Sequence, residues 1–127
     1  MVKQLVKCDK KYWEFVRVLR NDKRVKSGFI QQKKISKKNH TDYMKNNSKF
    51  YRICLIKNKP TGYIGVIDND IRVCTHPDFQ KKGVGLFMLK LIKKEFPLCV
   101  GKVKVSNDAS IALFLKAGFL LKYYLFE

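Results

Sequence analysis

Apolar side chains recur at Tyr12, Phe15, Val16 and Leu19 between Lys10 and Asn21, the spacing that turns one face of a helix toward a core. Ahead of it, Val2 to Lys7 reads as a short first strand. Behind it, Asp22 to Lys34 is polar and lysine-rich, contains Gly28, and reads as a loop. Ser36 is a helix-capping residue, and its helix is expected from Lys37 to about Lys45, with His40, Tyr43 and Met44 on one side.

From Lys49 the pattern changes. Lys49 to Lys57 is dense in Phe, Tyr, Ile and Leu without clean alternation, as a strand covered on both faces would be. Asn58-Lys59-Pro60-Thr61-Gly62 has turn chemistry, and Tyr63 to Ile67 reads as the next strand. A second tight turn, Asp68-Asn69-Asp70, leads into a strand from Ile71 to Thr75. These strands form an antiparallel meander. His76-Pro77-Asp78-Phe79 breaks the last of them, a glycine loop follows, and Leu86 to Phe96 is strongly helical up to Pro97. Leu98 to Val105 reads as a strand, and Ser106 or Asn107 caps a helix that runs to Ala117. Gly118 ends that helix, and Leu120 to Phe126 reads as a last strand. The order strand, two helices, three strands, helix, strand, helix, strand is mixed α/β.

Composition narrows this picture without choosing a function. The 127 residues are expected to form one domain spanning 1–127, and a hydrophobic fraction of 46% suffices for a packed core. No apolar run approaches the roughly 20 residues that a membrane span needs. The opening Met1-Val2-Lys3-Gln4 has no apolar stretch of signal-peptide length, so the expectation is a soluble cytoplasmic protein. Cys8, Cys54, Cys74 and Cys99 are far apart and read as buried reduced thiols; with His40 and His76 they do not give the spacing of a metal site. Charge is the unusual feature. Lys and Arg number 28 against 10 Asp and Glu, a net +18, which concentrates anions around the molecule. Coenzyme A, nucleotide-linked substrates and nucleic acids all satisfy that charge. The even spread of basic residues along the chain disfavours a dedicated nucleic-acid or ribosome-binding patch.

Chemistry converges on Gln80-Lys81-Lys82-Gly83-Val84-Gly85, between a strand and a helix. Two glycines let the chain turn sharply and bring N–H groups close to a ligand. The helix that begins there presents unpaired amides and the positive end of its dipole, which suit a diphosphate. Two-glycine turns of this kind also occur for packing alone.

With Thr75-His76-Pro77-Asp78-Phe79 before it, the loop resembles the signature of the GCN5-related N-acetyltransferase (GNAT) family, Gln/Arg-x-x-Gly-x-Gly/Ala after the fourth strand. A second landmark of the family is matched by Asn107-Asp108-Ala109-Ser110-Ile111-Ala112-Leu113-Phe114-Leu115-Lys116-Ala117-Gly118-Phe119. The likeness is close from about residue 49 onward and looser before it. It implies a GNAT-like acyl-CoA N-acyltransferase fold and transfer of an acetyl group from acetyl-CoA to a small amine acceptor. In the family the fourth strand splays from the fifth, and the pantetheine arm bonds the exposed strand backbone, here Val73 and Thr75. The loop from Gln80 through Lys81, Lys82, Gly83 and Val84 to Gly85 would hold the diphosphate. Asn107 matches a side chain that faces the pantetheine arm, against the plainer role of helix cap. Lys90, Lys93 and Lys94 are candidates for the adenosine 3′-phosphate, against a solvated helix face. Asp70 is the candidate general base, with Asp68 across the turn; turn propensity also explains both. His76 lies toward the phosphate loop, away from the acceptor end, while His40 and Tyr43 are candidate acceptor contacts.

Two departures qualify the resemblance. Phe114 stands where many relatives carry a Tyr that protonates the departing thiolate, and phenylalanine has no proton to give. Only eight residues follow Phe119, so the usual closing hairpin is shortened, and a second copy of the chain completing the sheet edge, as a homodimer, is one remedy. Leu19-Arg20-Asn21-Asp22 and Ile35-Ser36 with His40 resemble a subgroup that acetylates nucleotide-linked amino sugars or ribosomal-protein N-termini. The +18 charge favours the anionic first class and repels polyamines and aminoglycosides. The alternatives are protein N-terminal acetylation, a silent acetyl-CoA-binding protein, and a nucleic-acid-associated module.

Overall fold

In the computed structural model, which describes residues 1–127, strands β1 (Lys3–Lys7), β2 (Tyr51–Ile56), β3 (Lys59–Ile67) and β4 (Asp70–Thr75) form one antiparallel sheet. The spatial order is β1-β2-β3-β4. Two-residue turns join the last three strands. Lys57 and Asn58 (φ 52° and 62°) and then Asp68 and Asn69 (φ 51° and 66°) are left-handed. Left-handed backbone at both central residues gives the hairpin whose twist matches paired strands.

The first turn is tighter than the sequence suggests, so Lys59 to Gly62 belongs to β3 instead of to a loop. Pro60 is accommodated because it faces Leu55, where the register slips between Cys54 and Leu55. A proline without an N–H is tolerated at such a bulge.

Side chains alternate across the sheet and build two cores. Cys54, Ile56, Ile64, Val66 and Ile71 face helix α4 (Val84–Glu95), which contributes Val84, Met88, Leu89 and Ile92, each no more than 1% exposed. Burial of that order stabilises by roughly 1.5–3 kcal/mol per large side chain. Gly62 makes room for this helix, since a Cβ there would lie 3.2 Å from Val84 and 2.8 Å from the Cys74 carbonyl. Helix α5 (Asp108–Lys116) closes the same side through Phe114.

The opposite face carries Tyr51, Ile53, Leu55, Tyr63 and Cys74. It is covered by Val16 and Leu19 of α1 (Trp13–Asn21) and Met44 of α3 (Lys37–Asn47). Ser36 caps α3 by accepting from the Asn39 N–H, and a single helical turn, α2 (Lys23–Lys26), interrupts the segment expected to be loop because Asp22 caps it. Lys10–Tyr12 is a 3₁₀ turn instead of the first turn of α1.

Two expected strands do not form. Leu98 to Val105 touches the sheet only at Val100, in a single parallel bridge to Asp70. Beyond it the chain leaves β4. Gly101 is pressed on the Phe114 ring, where a Cβ would approach to 2.1 Å, and Lys104 Nζ reaches the Ser27 carbonyl at 3.1 Å. Leu120 to Phe126 is not a strand either: Leu121, the least exposed of its apolar residues, is still 68% accessible. A strand exists only where a neighbour takes its N–H and C=O groups, and residues 101–105 offer no ladder to join. No helix is long and apolar enough to cross a membrane.

Candidate active site

The site is assembled where β4 loses its neighbour. Val100 N–H donates to the Asn69 carbonyl at 2.7 Å, and Ile71 N–H donates to the Val100 carbonyl at 2.9 Å. There the pairing stops. Val73 and Thr75 point their amides to the same edge as Ile71, since backbone direction repeats every second residue. Neither amide has an acceptor on that edge. The result is a cleft that is closed at Asn69–Ile71 and open toward the end of β4.

At the open end a 3₁₀ turn, Pro77–Phe79, redirects the chain into the glycine loop. His76 caps it, its Nδ1 accepting from the Asp78 N–H at 3.1 Å, with its ring near Phe15 and Phe79. Lys81 (φ 62°) and Gly83 (φ 78°) are left-handed, and Lys82 between them is not. This alternation curls successive N–H groups around a concavity that suits an anion. The first hydrogen bond of α4 is Phe87 N–H to the Gly83 carbonyl, and no N–H from Lys81 to Leu86 is satisfied within the protein. Buried or crowded amides seldom stay unpaired, so this row of donors is fitted to receive an anionic ligand at the positive end of α4.

The two glycines serve different ends. Gly83 supplies the left-handed φ in open space, its nearest neighbour being Lys3 Nζ, 3.7 Å from where a Cβ would stand. Gly85 admits α5: a Cβ there would meet Leu113 at 2.7 Å and the Thr75 hydroxyl at 3.5 Å. Gln80, Lys81 and Lys82 are exposed, and Lys82 and Lys59 both lie 5.8 Å from the Phe79 ring centroid. Lys3 and Lys59 thus join the loop lysines around the concavity. Nothing local in the sequence marks them; the register of β1 and β3 brings them there.

Asp70, at the closed end, has one buried carboxylate oxygen, Oδ1, without a hydrogen-bond partner, and its Oδ2 lies 3.6 Å from Arg72 Nε. Asp68 is exposed in the turn. Arg72 Nη1 donates to the Tyr43 hydroxyl at 3.4 Å, which shares a 2.9 Å bond with the Tyr51 hydroxyl. Burial raises the Tyr51 phenol above its usual range. His40 is buried, its Nε2 2.9 Å from the Trp13 carbonyl, and burial holds its pKa below the ordinary value. The four cysteines are buried free thiols, and burial pushes Cys8 and Cys74 up to about 12.

The remaining candidates are spread more widely. Asn107 caps α5 by accepting from the Ser110 N–H at 3.1 Å, while its Nδ2 donates to the Gly28 carbonyl at 3.4 Å. Phe114 is buried, edge-on to Phe119 at 5.2 Å. Lys93 Nζ is occupied, donating to the Gly118 carbonyl, whereas Lys90 and Lys94 are exposed on α4.

The profile of the Acetyltransferase (GNAT) family matches residues 9–119. A search of curated protein sequences finds no match. Among solved structures, spermidine N-acetyltransferase from Vibrio cholerae, in complex with CoA and spermine, is similar with a TM-score of 0.82. The two are 14% identical, and the alignment covers 97% of this chain and 83% of that one. An acetyltransferase from Salmonella typhimurium with its cofactor acetyl-CoA aligns at TM-score 0.78 and 18% identity, covering 97% and 82%. A microcin self-immunity acetyltransferase in complex with acetyl-CoA and AMP aligns at TM-score 0.76 and 19% identity, covering 95% and 80%. At these identities the likeness establishes the fold.

Proposed function

This chain belongs to the GNAT family of acetyltransferases, and from that premise we propose that it moves the acetyl group of acetyl-CoA to a primary amine on an anionic acceptor, a nucleotide-linked amino sugar. The observation that carries the reading is the continuous row of unpaired donors from Val73 and Thr75 on β4 through the amides of residues 81–86. The loop amides, with Lys3, Lys81 and Lys82, bind the diphosphate. Val73 and Thr75 extend the pantetheine arm along the strand edge, as an added strand would be held.

Transfer then proceeds at the closed end of the cleft. Val73 N–H, the first free amide beyond the Ile71–Val100 bond, polarises the thioester carbonyl. Asp70, directly or through a water, takes the proton from the attacking amine. The amine nitrogen bonds the carbonyl carbon, the carbon–sulfur bond breaks, and the thiolate takes its proton from solvent. Phe114 cannot supply that proton, and a coenzyme A thiolate leaves without strong acid assistance.

Charge supports the acceptor class. Five of the ten carboxylates, Glu14, Asp22, Asp70, Asp78 and Glu95, each face an arginine, which reduces the negative charge on offer to a polycation. Thiol release from acetyl-CoA, with mass spectrometry of the acceptor, tests the reading. Acetylation of a UDP- or dTDP-linked amino sugar is the expected result. Modification of polyamines or basic peptides alone would sink the acceptor class, and no thiol release from any amine would sink the activity.

A further inference from the structure

The sheet face that meets α1 and α3 carries a cationic group that the loop chemistry does not use. Asp70 and Arg72 project to this face, in line with Cys74. The Arg72 guanidinium is oriented from two sides, by the Tyr43 hydroxyl at 3.4 Å and by Asp70 at 3.6 Å. Its Nη2 makes no hydrogen bond, and the side chain stays 37% exposed. Tyr51, whose hydroxyl holds Tyr43, lies flat over Gly65, the residue paired with Arg72 on β3; a Cβ at Gly65 would be 2.7 Å from that ring. The missing side chain lets the tyrosine pair reach the guanidinium.

The Arg72 guanidinium lies beside Asp70, next to the point where β4 parts from Val100. A guanidinium held in place, with one N–H edge free, binds a phosphate by paired charge-assisted bonds, and a lysine would serve less well.

We propose that Arg72 forms a phosphate subsite that selects acceptors carrying a phosphate next to the reacting amine. This rests on the acetyl-transfer reading and refines it. Arg72 is the specificity-determining residue, and Tyr43 and Tyr51 position it. The substrate class it fits is an amino sugar phosphorylated at the neighbouring carbon, free or nucleotide-linked.

The test is binding, so it does not depend on turnover. Full-length protein with nitrogen-15-labelled arginine, saturated with CoA, is titrated with glucosamine 1-phosphate, glucosamine and inorganic phosphate while the arginine Nε–H resonances are followed. The expected result is a saturable shift of the Arg72 signal with glucosamine 1-phosphate. Affinity should be at least about tenfold lower for glucosamine, and about tenfold lower for glucosamine 1-phosphate in Arg72→Gln. Arg72→Lys should retain an intermediate affinity, and CoA binding by both variants shows that they are folded. Equal affinity for glucosamine and its phosphate, or unchanged affinity in Arg72→Gln, would overturn the proposal. A phosphate-dependent shift without thiol release from any amine would support the subsite and count against acetyl transfer. Thiol release without preference for the phosphorylated amine would do the reverse.

Discussion

Lys81 and Gly83 hold the glycine loop in left-handed backbone, and only Gly83 does so without a steric cost. In Gly83→Ala the added Cβ meets no atom closer than Lys3 Nζ, so the penalty is conformational, about 1–2 kcal/mol. Thermal melting should fall by a few degrees, and acetyl-CoA affinity, read by calorimetry, should fall by more than the stability loss alone implies. Unaltered affinity would remove the loop from the cofactor site. Asp70→Asn tests the base. The substitution keeps the shape and removes the proton acceptor, so kcat should drop by roughly 10²–10⁴ while KM for acetyl-CoA holds. A full kcat in that variant assigns the proton to another group. His40 gives a pH prediction. Burial depresses its folded pKa below the unfolded value of about 6.5, so its contribution is complete above that pH. Stability is lost as pH falls below it, because the unfolded chain takes up the proton first. The melting temperature should decline between about pH 7 and 5, and His40→Gln should flatten that slope.

At the scale of elements, the longer helices and the strands of the meander were legible because their signals are local, while the single turn α2 and the start of β3 at Lys59 were not. Ser36 and Asn107 cap the helices they precede, and Gly118 ends α5 with φ 96°. The glycine loop was legible for the same reason. Leu98–Val105 and Leu120–Phe126 misled because strand-forming residues mark a capacity to pair, while a ladder needs a partner that sequence does not display. Arg72 and Lys3 were missed for a related cause. Their placement comes from register, which brings Arg72 opposite Gly65 and puts Lys3 beside Gly83. The departure of the chain after Val100 depends on Gly101, where Phe114 fills the space of a Cβ. Gly101→Ala should destabilise by about 1–3 kcal/mol in urea titrations, and a smaller residue at 114 should recover part of that loss. If Gly101→Ala is neutral, the Phe114 contact does not shape the cleft.

For the whole molecule, a net charge of +18 raises the concentration of anions around it, and Lys3, Lys59, Lys81 and Lys82 lie around the glycine loop. Affinity for acetyl-CoA should weaken as salt shortens the screening length from about 10 Å at 0.1 M toward about 3 Å at 1 M. The cleft brings together the end of β4, the row of loop amides and the N-terminus of α4, and the proposed function makes them one continuous binding edge. Hydrogen exchange of the backbone amides, with and without acetyl-CoA, tests that claim most directly. The account predicts slowed exchange at Val73, Thr75 and residues 81–86, with little change along the β1 edge. Protection that spares the loop and the β4 edge, or falls elsewhere on the molecule, would contradict it.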